Sequence, residues 1–362
     1  MLQMLTLNAP AFGLDVSDLS LKIVQLKRHG RFRKAVSFGE FRIPQGVISQ
    51  GEIKKKDELV SIVRESVRAV QGQSLLTNRV VVSLPEERVF LQMLQLPPMH
   101  AEEIKTAVRF QAEKYIPYSL ENVYLDHQVA EPFVDNLNHR DVLVSSIPRQ
   151  VADAYLEVFL EAGLTPVAFE AESLAICRAL IPQEASPVPL LLLDMGETRT
   201  GLVVFAGKSP VFTSSIPISS FQMTEAIAKD MGVDFKTAEA LKLRYGITGT
   251  EGESSKIASS IIPLLSEIIK HAKRYVGYYS SHATHQHLAQ DRKTLQKIVL
   301  SGGGSLLKGL VKFLSEELGM SVELGNPWVN VSAQPPSNLP PLSLQESVRY
   351  ATAIGLAMRA VP

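Results

Sequence analysis

The sequence predicts an α/β fold of two duplicated lobes, with a small βαββα-type subdomain inserted between the opening of the first lobe and the second. Three observations lead there. The turn Leu14-Asp15-Val16-Ser17-Asp18 recurs as Leu193-Asp194-Met195-Gly196-Glu197, each copy adjoining an apolar run and each followed by another strand-like run, Leu21–Leu26 or Leu202–Phe205. Strand and helix patterns alternate through both halves. Between them lies a block with its own strands and helices.

Composition fits large buried cores. The chain has 362 residues, 45% of them hydrophobic and 20% charged, which argues against disorder or a fibrous class. Its 37 basic and 37 acidic residues cancel, so no nucleic-acid partner is expected, since such a surface calls for a clustered basic excess. The single cysteine, Cys177, excludes an intramolecular disulfide and reads as a buried thiol in a reducing compartment. Met1–Pro10 lacks the pattern of a signal peptide, and no run of about 18 apolar residues suggests a spanning helix. A cytoplasmic location is expected.

In order along the chain, Gly13–Phe41 reads as a meander of short strands with turns at His29-Gly30 and around Phe38-Gly39. Asp57 begins a helix whose Leu59, Ile62, Val63, Ser66, Val67 and Val70 recur at helical spacing, with Gly72 near its end. Val80–Leu84 and Val89–Leu91 read as strands. Ala101–Ile116 reads as a helix with Ile104, Ala107, Val108, Gln111 and Tyr115 on one stripe, stopped by Pro117. Strands at Val123–Val129 and Val142–Ile147 and a helix at Gln150–Ala162 complete the inserted block. The second half then runs strand Leu190–Asp194, strand Leu202–Phe205, strand Phe212–Pro217 and helix Ser219–Met231. A helix at Thr237–Arg244 precedes a mobile loop at Gly246–Ser255, and a long helix follows from Ile257 to His282. Strand Lys297–Leu300 leads through Gly302-Gly303-Gly304 to Ser305, expected to cap a helix over Leu306–Leu318. Pro335–Pro341 reads as a loop and Glu346–Ala360 as a packed helix. The expected domains are 10–78, 79–165 and 166–362.

A strand ending in a carboxylate, followed by a tight turn of small residues, is chemically suited to a phosphate and its magnesium ion. The glycine triplet between a buried strand and a helix start would let a ligand approach bare backbone. His271, His282, His285 and His287 suggest a metal site only superficially: no Cys or carboxylate is spaced to complete one, and a polar helix face is the simpler reading.

The order of these elements resembles the superfamily of actin, the heat-shock chaperone ATPases and the sugar kinases, in which two duplicated lobes clasp a nucleotide. Within it the chain resembles the PilM family of type IV pilus assembly, related to FtsA. The resemblance rests on Gly13–Ser17 with Lys22, the helix running Val108-Arg109-Phe110-Gln111-Ala112-Glu113-Lys114-Tyr115-Ile116-Pro117-Tyr118, Leu193–Gly196, Gly302–Ser305 and Asn326-Pro327-Trp328, which together span nearly the whole chain.

The resemblance implies an actin-like fold that binds ATP and Mg2+. Asp15 and Asp194 would hold the magnesium through water, and Ser17, Asp18, Gly196 and Thr198 would line the phosphates. Lys22 matches a phosphate-binding lysine, although an edge-strand lysine in solvent is the alternative. Gly302, Gly303 and Gly304 would contact the nucleoside. Glu239 and Lys242 either join them or form an exposed ion pair. Asp18 departs from the family, whose loops carry a small hydroxyl or alanine there. Glu170 reads from the residues as a helix N-terminal carboxylate answering the backbone dipole; the resemblance implies instead a catalytic role in positioning a water.

The function implied is a nucleotide-binding scaffold at the cytoplasmic face of the inner membrane. It would capture the cytoplasmic N-terminal peptide of PilN, with Ala101–Tyr118 and neighbouring strands as the surface, and through it engage PilO and the pilus motor; self-association is a further option. Alternatives from the residues are an FtsA-like filament protein, a GspL-like secretion component and, remotely, a small-molecule kinase. The chain stops after a packed helix with no amphipathic or spanning segment, which counts against the first two.

Overall fold

The computed structural model describes residues 10–30, 32–130, 138–282, 294–295, 297–331 and 343–361. The expected loop at Pro335–Pro341 and two of the histidines, His285 and His287, lie outside them. The chain divides into two compact units, one of Met1–Val129, His139–Glu184 and Asn326–Pro362, the other of Ala130–Asn138 and Ala185–Gly325.

The first unit opens with β1 (Phe12–Val16), β2 (Ser20–His29) and β3 (Phe32–Arg42), the expected meander. A short hairpin, β4 (Ile48–Ser49) and β5 (Glu52–Ile53), leads to α1 (Lys56–Arg68), β6 (Gln71–Gly72) and β7 (Arg79–Leu84). Then come β8 (Phe90–Leu96), α2 (Ala101–Ala112), β9 (Val123–Val129), β10 (Arg140–Pro148) and α3 (Arg149–Glu161), the expected βαββα order, before β11 (Thr165–Ala171) and α4 (Glu172–Leu180). Six strands form one sheet, ordered β11-β7-β1-β2-β3-β6, with β7 parallel to both β1 and β11. Strand alternation sorts β1 cleanly. Phe12, Leu14 and Val16 share a core with Leu59 and Val63 of α1 and Tyr155 and Phe159 of α3; Gly13 and Asp15 take the opposite face. The strand and helix that the sequence grouped at the two ends of 79–165, β7 and α3, thus pack with the six-stranded sheet.

A separate sheet, β8-β10-β9, is covered by α2 through Leu94, Leu96, Ile104, Val108, Val142 and Val144. The helix ends at Ala112, before Pro117 could stop it. Past that point helical spacing no longer applies, so Tyr115, expected on the buried stripe, is 52% exposed and Ile116 is buried in its place.

The second unit repeats the plan. β12 (Ser186–Met195), β13 (Thr200–Gly207) and β14 (Ser209–Ile216) form an antiparallel meander, followed by α5 (Ser220–Met231), α6 (Phe235–Tyr245), α7 (Gly252–His282), β15 (Lys297–Ser301), α8 (Leu310–Leu318) and β16 (Ser321–Leu324). The sheet order β14-β13-β12-β15-β16 reproduces β3-β2-β1-β7-β11, a meander followed by two parallel strands. Ile257, Ile261, Leu265, Ile268 and Ala272 keep helical spacing along α7 and face the core.

Two expectations here are corrected. The loop expected at Gly246–Ser255 is shorter, because α7 already begins at Gly252 and Ile247 donates its N–H to the Lys308 carbonyl at 3.0 Å. Ser305 does not cap a helix over Leu306–Leu318. Gly303–Leu306 form a single 3-10 turn, and Gly309, at φ +86°, turns the chain before α8 starts at Leu310.

The chain returns to the first unit with α9 (Leu344–Ser347) and α10 (Ala351–Ala360). Every residue from Ala351 to Met358 is buried. Glycines permit that closeness: a Cβ on Gly13 would collide with the Ala353 carbonyl of α10, and one on Gly355 with the Ala175 carbonyl of α4. Among the described residues no helix is long and apolar enough to cross a membrane. Cys177 is buried in α4, where burial pushes its thiol well above the ordinary value.

Candidate functional site

In the first unit three of the candidate residues, Asp15, Lys22 and Glu170, lie on one row across the sheet. Register pairs Glu40 of β3 with Lys22 of β2, and Lys22 with Asp15 of β1. It also pairs Ser83 of β7 with Glu170 of β11. Residues paired in register project to the same face, so four charged groups and a serine share the face that α4 and α10 cover. Asp15 is 7% exposed, and its carboxylate accepts a hydrogen bond from the Ser83 hydroxyl at 3.0 Å. The same hydroxyl accepts the Val16 N–H at 2.9 Å. Burial raises the Asp15 carboxyl above the usual carboxylate range, while Lys22 and the Ser83 hydrogen bond pull it back and Glu40 adds to the rise. The ammonium of Lys22 donates to the Ser20 hydroxyl at 2.9 Å.

The turn after β1 is closed by its own residues. Ser17 N–H donates to the Ser20 carbonyl at 2.9 Å, and the two hydroxyls lie 3.0 Å apart. Asp18 points elsewhere: its carboxylate accepts the N–H groups of Gln50 at 2.7 Å and Gly51 at 3.0 Å. Those two residues, at φ +50° and +71°, are the loop of the β4–β5 hairpin, whose two-residue connection requires positive φ at both positions.

Glu170 is 4% exposed and gripped by the Arg178 guanidinium at 2.5 and 2.8 Å, with Arg359 at 3.3 Å. It does not answer the start of α4. That role belongs to Glu86, which accepts the Ser173 N–H at 3.0 Å. Glu170 lies on β11, ahead of the helix, and the bidentate arginine geometry claims both its oxygens.

In the second unit the candidates converge. Asp194, one residue before the end of β12, lies beside Ser301 of β15, whose hydroxyl donates to its Oδ1 at 2.7 Å. Gly196 donates its N–H to the Arg199 carbonyl at 2.9 Å, closing the turn that carries the partly exposed Thr198. The Gly196 carbonyl accepts the Ser220 N–H at 3.1 Å. Lys242, 4% exposed, donates to Ser220 Oγ at 2.8 Å, Ser220 O at 3.0 Å and Thr224 Oγ1 at 2.7 Å, and pairs with Glu239 at 2.8 Å. The Glu239–Lys242 pair is therefore not a surface ion pair; it ties α6 to the start of α5 and so to the Gly196 turn. Gly302, at φ +78°, sits so close that a Cβ would lie 2.5 Å from the Met195 carbonyl and 2.8 Å from Asp194 Oδ1. A Cβ on Gly303 would meet no atom within 4 Å, leaving that backbone open to a ligand.

These donor sets fit magnesium and a phosphate chain. Asp15 and Asp194 are hard oxygen donors of the kind Mg2+ takes, directly or through water. Lys22 supplies a compact positive charge on a flexible stem. Sequence reasoning gave Ser83 no site role and placed Ser301 only in the turn expected to contact the nucleoside, not as a partner of Asp194. Their signal was present, since each serine follows an apolar run, Val80–Val82 or Ile298–Leu300.

Outside this row and cluster, α2, the turn after it and the small sheet beside it leave aromatic side chains in the open. Phe110, Tyr115, Tyr118 and Tyr124 are 67, 52, 48 and 44% exposed. Arg149 stacks over the Tyr124 ring at 4.2 Å, and Tyr124 donates to Asp153 at 2.9 Å.

The family model of the type IV pilus assembly protein PilM matches residues 13–361. The chain belongs to the PilM family. The structure of a PilM–PilN type IV pilus biogenesis complex is similar over 98% of this chain and 99% of that one, at a TM-score of 0.82 and 28% identity. FtsA of Enterococcus hirae is 25% identical over 342 residues, covering 86% of this chain and 77% of its own length. FtsA of Borreliella burgdorferi is 28% identical over 168 residues, 43% of this chain, so the match spans only 40% of that relative's length. MreB5 of Spiroplasma citri, in a structure bound to AMPPNP, shares the fold at a TM-score of 0.55 with 13% identity, over 96% of this chain and 95% of that one. The fold of this PilM-family chain is actin-like, as the sequence led us to expect.

Proposed function

We propose that this chain is a nucleotide-binding scaffold of type IV pilus assembly that captures the cytoplasmic N-terminal peptide of a PilN-type partner. The observation that carries the reading is the full-length likeness to a PilM–PilN complex, at a TM-score of 0.82. Through that partner the chain stands at the cytoplasmic face of the inner membrane, reaches PilO indirectly and couples the pilus motor to the membrane-embedded alignment complex. The exposed aromatic groups around α2 offer such a peptide apolar side chains to dock against.

In this reading ATP and Mg2+ bind at the duplicated hairpins. Asp15 and Asp194 hold the magnesium, which neutralises phosphate charge when bound. Lys22, Ser17, Gly196 and Thr198 orient the phosphates, and Gly302–Gly304 with the Glu239–Lys242 pair present the nucleoside-side backbone. Asp18 serves the turn from behind by holding the β4–β5 hairpin. Turnover through Glu170 would require its carboxylate to leave Arg178, so the reading rests on binding, with nucleotide tuning partner affinity through its preference among states of the protein.

The test is a titration of the full chain, with and without magnesium ATP, against a peptide copying the N-terminus of the PilN encoded beside it and against a scrambled peptide. Sequence-specific binding that shifts with nucleotide is expected. No binding in either state sinks the partner assignment, while binding indifferent to ATP removes the tuning.

A further inference from the structure

We propose that Ser83 and Ser301 are a matched pair of positioning residues, each pinning the carboxylate through which its half of the chain holds magnesium-nucleotide. The inference rests on the nucleotide reading above and adds to it two residues of defined role. Ser83 Oγ donates to Asp15 Oδ1 at 3.0 Å, and Ser301 Oγ donates to Asp194 Oδ1 at 2.7 Å. Both serines are fully buried. Both stand near the C-terminal end of the strand that runs parallel to the hairpin strand, β7 beside β1 and β15 beside β12. The duplication has therefore copied not only the acid and its turn but also the hydroxyl that restrains the acid.

The physics follows from the inventory of one hydroxyl. A serine has a single proton to donate. The oxygen of Ser83 already accepts the Val16 N–H at 2.9 Å, so its proton is directed at Asp15. A neutral, short donor fixes the rotation of the carboxylate without neutralising it, as a lysine or arginine would, and without repelling it, as a second acid would. Partners of this kind behind metal-binding carboxylates hold the ligand's orientation, and losing one typically costs about 10–100-fold in affinity for the ion.

The experiment is a titration with a fluorescent ATP analogue, in magnesium and in excess EDTA, of the wild-type chain, Ser83→Ala, Ser301→Ala and the hydroxyl-retaining Ser301→Thr. Each alanine variant is expected to bind the magnesium complex about 10-fold more weakly, with binding in EDTA unchanged and with Ser301→Thr close to wild type. Ser83→Ala also strips Val16 of its acceptor; if that variant does not fold, Ser301→Ala carries the test. Equal losses in magnesium and EDTA, or no loss in either, overturn the proposal while the nucleotide reading stands. Failure of the wild type itself to bind in magnesium overturns both.

Discussion

The Lys242 ammonium donates to both oxygens of Ser220, hydroxyl at 2.8 Å and carbonyl at 3.0 Å, and Ser220 in turn gives its N–H to Gly196. A buried charge on α6 thus sets the position of the turn after β12. Replacing it by methionine keeps the volume but leaves Glu239 without its ammonium partner. The expected cost is about 2 kcal/mol, below the range for a fully buried pair because Glu239 remains partly exposed. Urea denaturation of Lys242→Met measures it, and Lys242→Arg is expected to restore little, since a planar fork cannot meet the same acceptors.

Asp18 makes a second such link. Alanine there removes the acceptor for the Gln50 and Gly51 N–H groups and is expected to cost about 1–2 kcal/mol. Amide exchange should accelerate at Gln50 and Gly51 and stay unchanged in α5–α7. Protection retained at both amides would show the hairpin to be self-sufficient.

The contact between α10 and α4 depends on a missing side chain. Gly355→Ala would place its Cβ on the Ala175 carbonyl, and with both helices packed across most of their length relief requires a backbone shift. A loss of about 2–3 kcal/mol is expected, read as a lower midpoint in chemical denaturation. Gly277→Ala, where a Cβ would meet no atom within 4 Å, should be neutral or slightly stabilising by helix propensity.

Acid should weaken α6. Asp234 caps it, accepting the Thr237 N–H at 2.9 Å and its hydroxyl at 2.7 Å, and these bonds hold its carboxyl below the usual value of 3.8. A depressed acid contributes stability that is present above its unfolded value and lost as pH falls through the folded one. The melting temperature of Asp234→Ala should lie below wild type at neutral pH, and the gap should close below about pH 4. A gap that persists into acid would mean the cap acts without its charge.

Much of this was legible because the signals are local. The duplicated acid turns, the strand of Val123–Val129 and the stripe of α7 follow from periodicity alone. Where the reading erred, either a helix ended or began elsewhere than its pattern suggests or a distant contact decided the matter. Tyr115 left the buried stripe because α2 ended three residues before it. Gly309, turned to positive φ, broke the helix expected from Leu306. Glu170 does not serve the start of α4, as Glu86 does, because an arginine eight residues along the chain from Glu170 reaches back to it, which no spacing rule reveals. The apolar runs before Ser83 and Ser301 mark both as strand residues near a sheet end, but the role of each hydroxyl follows only from its neighbour across the sheet, Asp15 or Asp194.

The seating of α10 against β1 has a consequence for how the molecule comes into being. The surface that Gly13 opens is filled by residues 353–357, so the opening strands leave the ribosome some 340 residues before the helix that completes them. The second unit, whose strands and helices all fall within 185–325, is finished earlier. During synthesis the half translated later is therefore the first that can close, while the half translated first waits with that sheet face uncovered.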